Sequence, residues 1–361
     1  MSRLHSAVLG ATGVAGQQFI IELADHPMFE VTGLYASERS DGKRYADCGK
    51  WYLEQPIPGS IRDMKVRDSA SIEPAQYDII FSALPSEVAR QIEGACASKR
   101  PVISTASAFR YEADVPIIMP EVNPSHFELI ERQRNERGWE GFVMPGPNCT
   151  TVGLAVALAP LHQEFGLKRV FMTSLQALSG AGLPGVASLA ITDNILPYIP
   201  KEEGKVQKET LKILGGLEGG AIADADFSIS CICTRVPVID GHTEAVFAET
   251  GQPCSPEQYK EAVRRFNERF RKEYSHLPSA PEESIVIMDE EDRPQPRLDR
   301  GRNGGMSVCV GRIHEDHSFR RGLSWTGLKF VLLSHNTKKG AAKGGILVAE
   351  CLVDKGYMKR R

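Results

Sequence analysis

The stretch His5-Ser6-Ala7-Val8-Leu9-Gly10-Ala11-Thr12-Gly13-Val14-Ala15-Gly16 decides the fold. His5 to Leu9 is a short apolar run of strand type. Val14 to His26 places Phe19, Ile20, Leu23 and Ala24 at helical spacing before Pro27 stops it. Between them stands G-x-x-G-x-x-G, a strand-to-helix turn where backbone N–H groups and the helix dipole can meet a pyrophosphate. Such a string alone also describes a plain tight turn. Its place in a βαβ unit at the N-terminus points to dinucleotide binding, with Gly10 and Gly13 in the loop.

Outward from this loop, short apolar runs alternate with helical patterns. Strands are expected at Phe29 to Tyr35, Tyr77 to Ala83 and Pro101 to Ser104, with shorter ones near Met64 to Arg67 and Ile117 to Met119, and a second crossover helix at Ser86 to Lys99. This predicts a parallel sheet wrapped by helices over residues 1–148. The turn Met144-Pro145-Gly146-Pro147-Asn148 breaks regular structure, and Cys149 opens an apolar run to Leu161 that reads as a buried helix. Residues 149–335 then read as a second, α+β domain. From Leu167 onward longer alternating strands, such as Phe227 to Val236, Thr243 to Thr250, Met306 to Ile313 and Ser324 to Leu333, suit a mixed sheet. Asp289 to Arg302 reads as a surface loop. A last helix, Ile346 to Lys355, is expected to return to the first domain, so that residues 336–361 complete it. The fold class is α/β: an N-terminal Rossmann-type dinucleotide-binding domain followed by an α+β domain with a mixed sheet.

Composition sets the outer limits. The 361 residues are 42% hydrophobic and 25% charged with a net charge of −3, and no apolar run is long enough for a membrane helix. The short N-terminal apolar stretch runs into the glycine loop instead of forming a signal-peptide core, so a cytoplasmic protein is expected. Eight cysteines without a Cys-x-x-Cys pair or Cys/His ligand spacing suggest neither a disulfide framework nor a metal site. With 43 basic against 46 acidic residues there is no field to hold nucleic acid, and the basic end Lys355 to Arg361 reads as a terminal tail.

Four constellations carry chemistry. After the second strand, Ser37, Arg39 and Ser40 offer hydroxyls and a guanidinium to a 2′-phosphate; Glu38 is the one acidic residue that would argue for NAD, and the balance favours NADP. Cys149 falls at a helix start, where the dipole and unpaired N–H groups are expected to draw a thiol below about 8.5 and to hold an oxyanion, although a lone cysteine is otherwise an inert core filler. His242, after the turn Asp240-Gly241, is either a solvated turn residue or the imidazole partner of that thiol; Arg235 lies seven residues before it. In Pro200 to Glu209 the charges read mostly as a solvent face, with Glu202 and Lys205 on one side of a first helical turn where they could address a zwitterionic or phosphorylated ligand.

These motifs taken together resemble a known family. Gly10 to Gly16, Ser104 to Arg110, Pro147-Asn148-Cys149-Thr150-Thr151, Ser174 to Gly182, Arg235-Val236-Pro237 with Gly241-His242, and Asn336 with Gly340-Ala341-Ala342 are similar to aspartate-semialdehyde dehydrogenase in its archaeal and fungal branch, in order over nearly the whole chain. The resemblance implies reversible, NADP-dependent reductive dephosphorylation of L-aspartyl 4-phosphate to L-aspartate 4-semialdehyde through a cysteine thioacyl enzyme. It implies Cys149 as nucleophile and His242 as its proton partner. Arg235 would clamp the substrate carboxylate and Glu202 would accept from the amino group, with Glu203 ambiguous by one residue. Gln176 would orient the acyl group, and Arg110, Asn148 and Lys205 would bind phosphate. Thr12, Gly13, Val14 and Ala15 would approach the cofactor phosphates; Ser37, Arg39 and Ser40 the 2′-phosphate; Ser82, Ser179, Gly180 and Asn336 the rest of NADP. A homodimer or homotetramer formed through the second domain is also implied, with small-molecule partners and neither nucleic acid nor membrane. The rivals are an acyl-CoA reductase of malonyl-CoA reductase type, N-acetyl-glutamyl-phosphate reductase, against which an amine-reading acid at Glu202 speaks, and a non-catalytic NADP-binding protein.

Overall fold

The structure, a computed structural model, describes residues 3–183, 185–321 and 324–358. Its first sheet holds β1 (Leu4–Leu9), β2 (Phe29–Ala36), β3 (Val66–Asp68), β4 (Ile79–Ser82), β5 (Pro101–Ser104) and β6 (Phe142–Pro145). All pairs are parallel, in the order β3-β2-β1-β4-β5-β6. The order reverses direction at β1, and the crevice at the strand ends beside that point is where such sheets take ligands. Alternate residues serve opposite cores. Val8, Phe81 and Ile103 pack with Phe19, Ile20, Ile346 and Leu352, while Ala7, Leu9, Ile80 and Val102 pack with Ala89, Cys96 and Ala97. Both faces are therefore helix-covered, which is why these strands read as unbroken apolar runs. The last helix, Ala342–Asp354, lies in the first of these cores beside Val14–Leu23; residues 359–361 of the basic end lie outside the described residues.

The second sheet is mixed. Its strands run Ser228–Arg235, Leu167–Gln176, His242–Thr250, Gly327–Ser334, Val308–Glu315 and Ile285–Met288, with parallel pairs at both edges and antiparallel pairs between. Helices Cys149–Phe165, Glu202–Leu214 and Pro256–Tyr274 share one core with its inner face. The outer face exposes Phe171, Leu175, Ile232 and Phe247, an apolar surface of the kind that partners cover. Among the described residues, no helix is long and apolar enough to cross a membrane.

Four segments differ from the sequence expectation. Phe142–Pro145 is a sheet-edge strand that the following Pro-Gly-Pro turn conceals. Ile117 to Met119 is buried without being a strand, because the Asn123 side chain bonds the Met119 N–H and the Ile117 carbonyl in place of a ladder partner. Pro256–Tyr274 is a helix that the motif reading does not anticipate, although Ser255 and Gln258 close a capping box. Asp289 to Arg302 is not all surface loop: Pro296–Asp299 forms a helical turn and Asp299 is buried against Arg293.

Candidate active site

The glycine loop is shaped by close approaches. Gly10 has a φ of +71°, and a Cβ there would lie 2.5 Å from the Ala83 carbonyl oxygen; a Cβ on Gly16 would lie 2.1 Å from that of Gly10. Gly13 is the N-cap of helix Val14–Leu23 and brings no capping side chain, so the first-turn N–H groups face outward. They border a cleft of about 770 Å³. Gly13, Val14 and Ala15 form one wall, the loops after β4 and β5 another, and Ser179, Gly180 and Asn336 a third. Asn336 donates to Ser179 Oγ (2.7 Å) and accepts from the Gly241 N–H (2.9 Å). Ser37 and Arg39 are exposed just beyond β2, as is Glu38, while Ser40 is buried. Ser37, Arg39 and Ser40 do not line the cleft, and neither do Thr12 and Ser82. Thr12 borders a separate small cavity with Gln17, Tyr45 and Trp51. Ser82 is fully buried and donates its hydroxyl to Glu93 Oε1 (2.7 Å), a carboxylate on the crossover helix whose burial sequence periodicity does not reveal.

At the far end of the cleft Cys149 begins its helix. Its Sγ lies 3.2 Å from His242 Nε2, and His242 Nδ1 accepts from the Ala177 N–H (3.1 Å). Because Nδ1 is an acceptor, the neutral ring carries its proton on Nε2, directed at the sulfur. The carbonyl of the same residue, Ala177, accepts from Arg235 Nη1 (2.6 Å). One backbone residue thus places both imidazole and guanidinium, a role no side-chain motif reveals. Gly180 lets them approach: a Cβ there would fall 2.8 Å from Arg235 Nη1 and 3.1 Å from His242 Cε1. Gln176 pairs in register with Arg235, but its side chain is buried and donates to Ser174 Oγ.

Helix Glu202–Leu214 closes a further side of the cleft. Glu202 borders the cleft and accepts from Asn148 Nδ2 (2.8 Å), with Lys205 Nζ at 3.4 Å. Glu203 points away and accepts from the Cys233 N–H. The expected solvent face of this helix is only partly that: Glu209 is fully buried. Its carboxylate holds Arg110 Nη1 (3.0 Å), the Tyr111 hydroxyl (3.2 Å) and the Asn148 N–H (2.6 Å). A two-turn spacing from Glu202 was the available signal.

The electrostatics differ from the helix-dipole expectation. The Cys149 thiol is pushed up to about 12, first by burial and then by the Glu202 carboxylate, against the opposing Arg110, Arg235 and Lys205. The helix-start N–H groups offer little relief, because Asn148 Oδ1 already accepts from Thr150 and Thr151. Burial, with Arg235 and then His335, pushes His242 down to about 3. The resting pair is a neutral thiol beside a neutral imidazole. Inactivation by iodoacetamide is therefore expected to accelerate about tenfold per pH unit from pH 7 to 10; a plateau beginning near pH 7 would show a preformed thiolate.

Residues 6–130 match the family model "Semialdehyde dehydrogenase, NAD binding domain" and residues 158–339 match "Semialdehyde dehydrogenase, dimerisation domain". The chain is 48% identical to an aspartate-semialdehyde dehydrogenase of Methanothermobacter thermautotrophicus, covering 97% of this chain and 99% of that protein. It is 42% identical to the Candida albicans enzyme of that name, covering 99% and 100%. A crystal structure of aspartate-semialdehyde dehydrogenase with NADP from Candida albicans superposes with a TM-score of 0.85 at 39% identity, over 98% of this chain and 99% of that one. The chain belongs to the aspartate-semialdehyde dehydrogenase family.

Proposed function

We propose that this protein interconverts L-aspartyl 4-phosphate and L-aspartate 4-semialdehyde with NADP, in the biosynthesis of aspartate-derived amino acids. The observation that carries the proposal is the placement of Cys149, His242 and Arg235 together at one end of a cleft whose other wall is the glycine loop. That loop fits a dinucleotide: Gly10 and Gly16 leave no room for a Cβ, and the Gly13 N-cap leaves helix N–H groups for phosphate oxygens. Gly13, Val14, Ala15, Ser179, Gly180 and Asn336 would hold the cofactor, with Ser37 and Arg39 at its 2′-phosphate. Bound there, NADP accepts or supplies the hydride.

Toward oxidation, Cys149 loses its proton to solvent and its sulfur adds to the aldehyde carbon. The oxygen becomes an alkoxide that His242 Nε2–H meets as a hydrogen-bond donor. Arg235 clamps the substrate carboxylate and Glu202 accepts from its ammonium group, so that the chain is held while the carbon becomes a thioester. Phosphate, drawn by Arg110 and Lys205, then attacks the carbonyl carbon; the C–S bond breaks and the thiolate leaves. Asn148 serves through its cap and its bond to Glu202, and the Gln176 backbone pairs with Arg235 on the neighbouring strand.

Residues 1–148 with 336–361 form the cofactor domain in this reading, and 149–335 the substrate domain. The apolar outer face around Phe171 and Ile232 supports a homodimer, or a tetramer built from such dimers. Phosphorylated, membrane-impermeant substrates fit a cytoplasmic enzyme. The test is NADP⁺ reduction by aspartate semialdehyde with and without phosphate, set beside NADPH oxidation by malonyl-CoA. Sustained turnover is expected only with phosphate, and none with malonyl-CoA. Phosphate-independent turnover, or comparable rates with malonyl-CoA, would overturn the assignment.

A further inference from the structure

Glu209 takes part in none of the steps above, yet it is the hub of the cleft's polar wall. Seven residues after Glu202, it lies on the same face of helix Glu202–Leu214 and is fully buried. Oε1 accepts from Arg110 Nη1 and the Tyr111 hydroxyl, and Oε2 accepts from the Asn148 backbone N–H at 2.6 Å. These donors come from two separate parts of the chain. Arg110 and Tyr111 sit on the loop after β5, and Asn148 immediately precedes the nucleophile.

The guanidinium of Arg110 is fixed on three sides. Nη1 meets Glu209, Nε donates to the Gly146 carbonyl (2.8 Å) and Nη2 to the Thr105 carbonyl (2.9 Å). Three of its five N–H groups are so engaged, and two remain for an anion in the cleft that Arg110 lines. Only the Glu209 contact carries charge, with side-chain exposures of 6% and 0% for the pair. The backbone of this loop has its own anchor, because Lys212 Nζ donates to the carbonyls of Arg110, Glu112 and Val115. The start of the Cys149 helix likewise has its own cap in Asn148 Oδ1. What Glu209 adds, beside the Nε bond to the Gly146 carbonyl, is the charged link that joins the Arg110 fork to the Asn148 peptide just before Cys149.

We propose that Glu209 is a positioning residue for the phosphate step, aligning the Arg110 guanidinium with the Cys149 thioester so that an acceptor oxyanion is held in line with the carbonyl carbon. The inference rests on Arg110 belonging to the phosphate-binding set. In Glu209→Gln the new amide NH₂ meets a donor on one side or the other, and Arg110 keeps its charge and its two carbonyl partners but loses its charged one, so the fork is held less firmly in direction.

The test separates the two halves of the reaction in the full-length protein. The single equivalent of NADPH formed from aspartate semialdehyde without phosphate reports thioester formation. Phosphate-dependent turnover reports its cleavage. Glu209→Gln is expected to lower kcat/KM for phosphate by about 30-fold while the burst rate stays within about threefold. Because Glu209 acts through Arg110, adding Glu209→Gln to Arg110→Lys should slow the phosphate step less than about twofold further. Tyr111→Phe, at a half-exposed position that folding tolerates, loosens the same carboxylate and should lower the phosphate term about threefold with an unchanged burst. If Arg110→Lys alone leaves the phosphate step untouched, the placement of Arg110 at the phosphate site fails. If Arg110→Lys slows it but Glu209→Gln does not, or slows burst and phosphate step equally, or the two substitutions simply add, the role given to Glu209 is overturned.

Discussion

Cys149→Ala is expected to lower kcat by at least about 10⁴-fold, because Cys149 is the one thiol among the described residues lining the cleft. The fold should not suffer. The helix cap is supplied by Asn148 and not by the thiol, and alanine is the better helix former. NADPH affinity, measured by fluorescence titration, should stay within about twofold, since the glycine loop, Ser179 and Asn336 are untouched. A variant that kept more than about 1% of wild-type turnover would remove Cys149 from the nucleophile's role.

Arg235→Lys should be the next most damaging change, with kcat/KM for aspartate semialdehyde falling at least about 100-fold, equivalent to about 2.7 kcal/mol. Arg235 is buried, and Nη1 is spent on the Ala177 carbonyl. The remainder of the planar fork can grip a carboxylate with two parallel bonds. A lysine ammonium presents one point charge and must choose between the Ala177 carbonyl and the substrate. Since Ala177 also holds His242 through its N–H, the loss should appear in kcat as well as in KM. Unchanged steady-state constants would refute the clamp.

How far the molecule could be read beforehand depended on how local each feature is. The glycine loop, the first crossover helix and the parallel sheet were legible because short-range sterics set them: Gly10 is needed within a few residues of β1 and Phe19 follows Val14 by helical periodicity. The mixed second sheet was legible from alternation, but not Ile285–Met288, four residues too few to show a period. Cys149 could be placed at a helix start, yet its 3.2 Å approach to His242 arises where the Cys149 helix crosses the strand His242–Thr250, and no spacing in the chain encodes that crossing.

The chain's own order of residues settled the α/β class, the dinucleotide loop and the motifs of the family, all of which follow from backbone preferences and hydrophobic period over a few neighbours. Packing alone decided which acidic side chains became part of the site. Glu202 faces the cleft, Glu203 turns to Cys233, and Glu209 goes wholly inside, though each stands in the same charged run. Packing also reversed the expectation for the thiol. A helix start favours thiolate only while its N–H groups are free, and here Asn148 takes two of them while desolvation and the Glu202 carboxylate push the thiol up. The reason is common to both: the charge state and direction of a polar side chain depend on desolvation and on partners that folding brings from far along the chain.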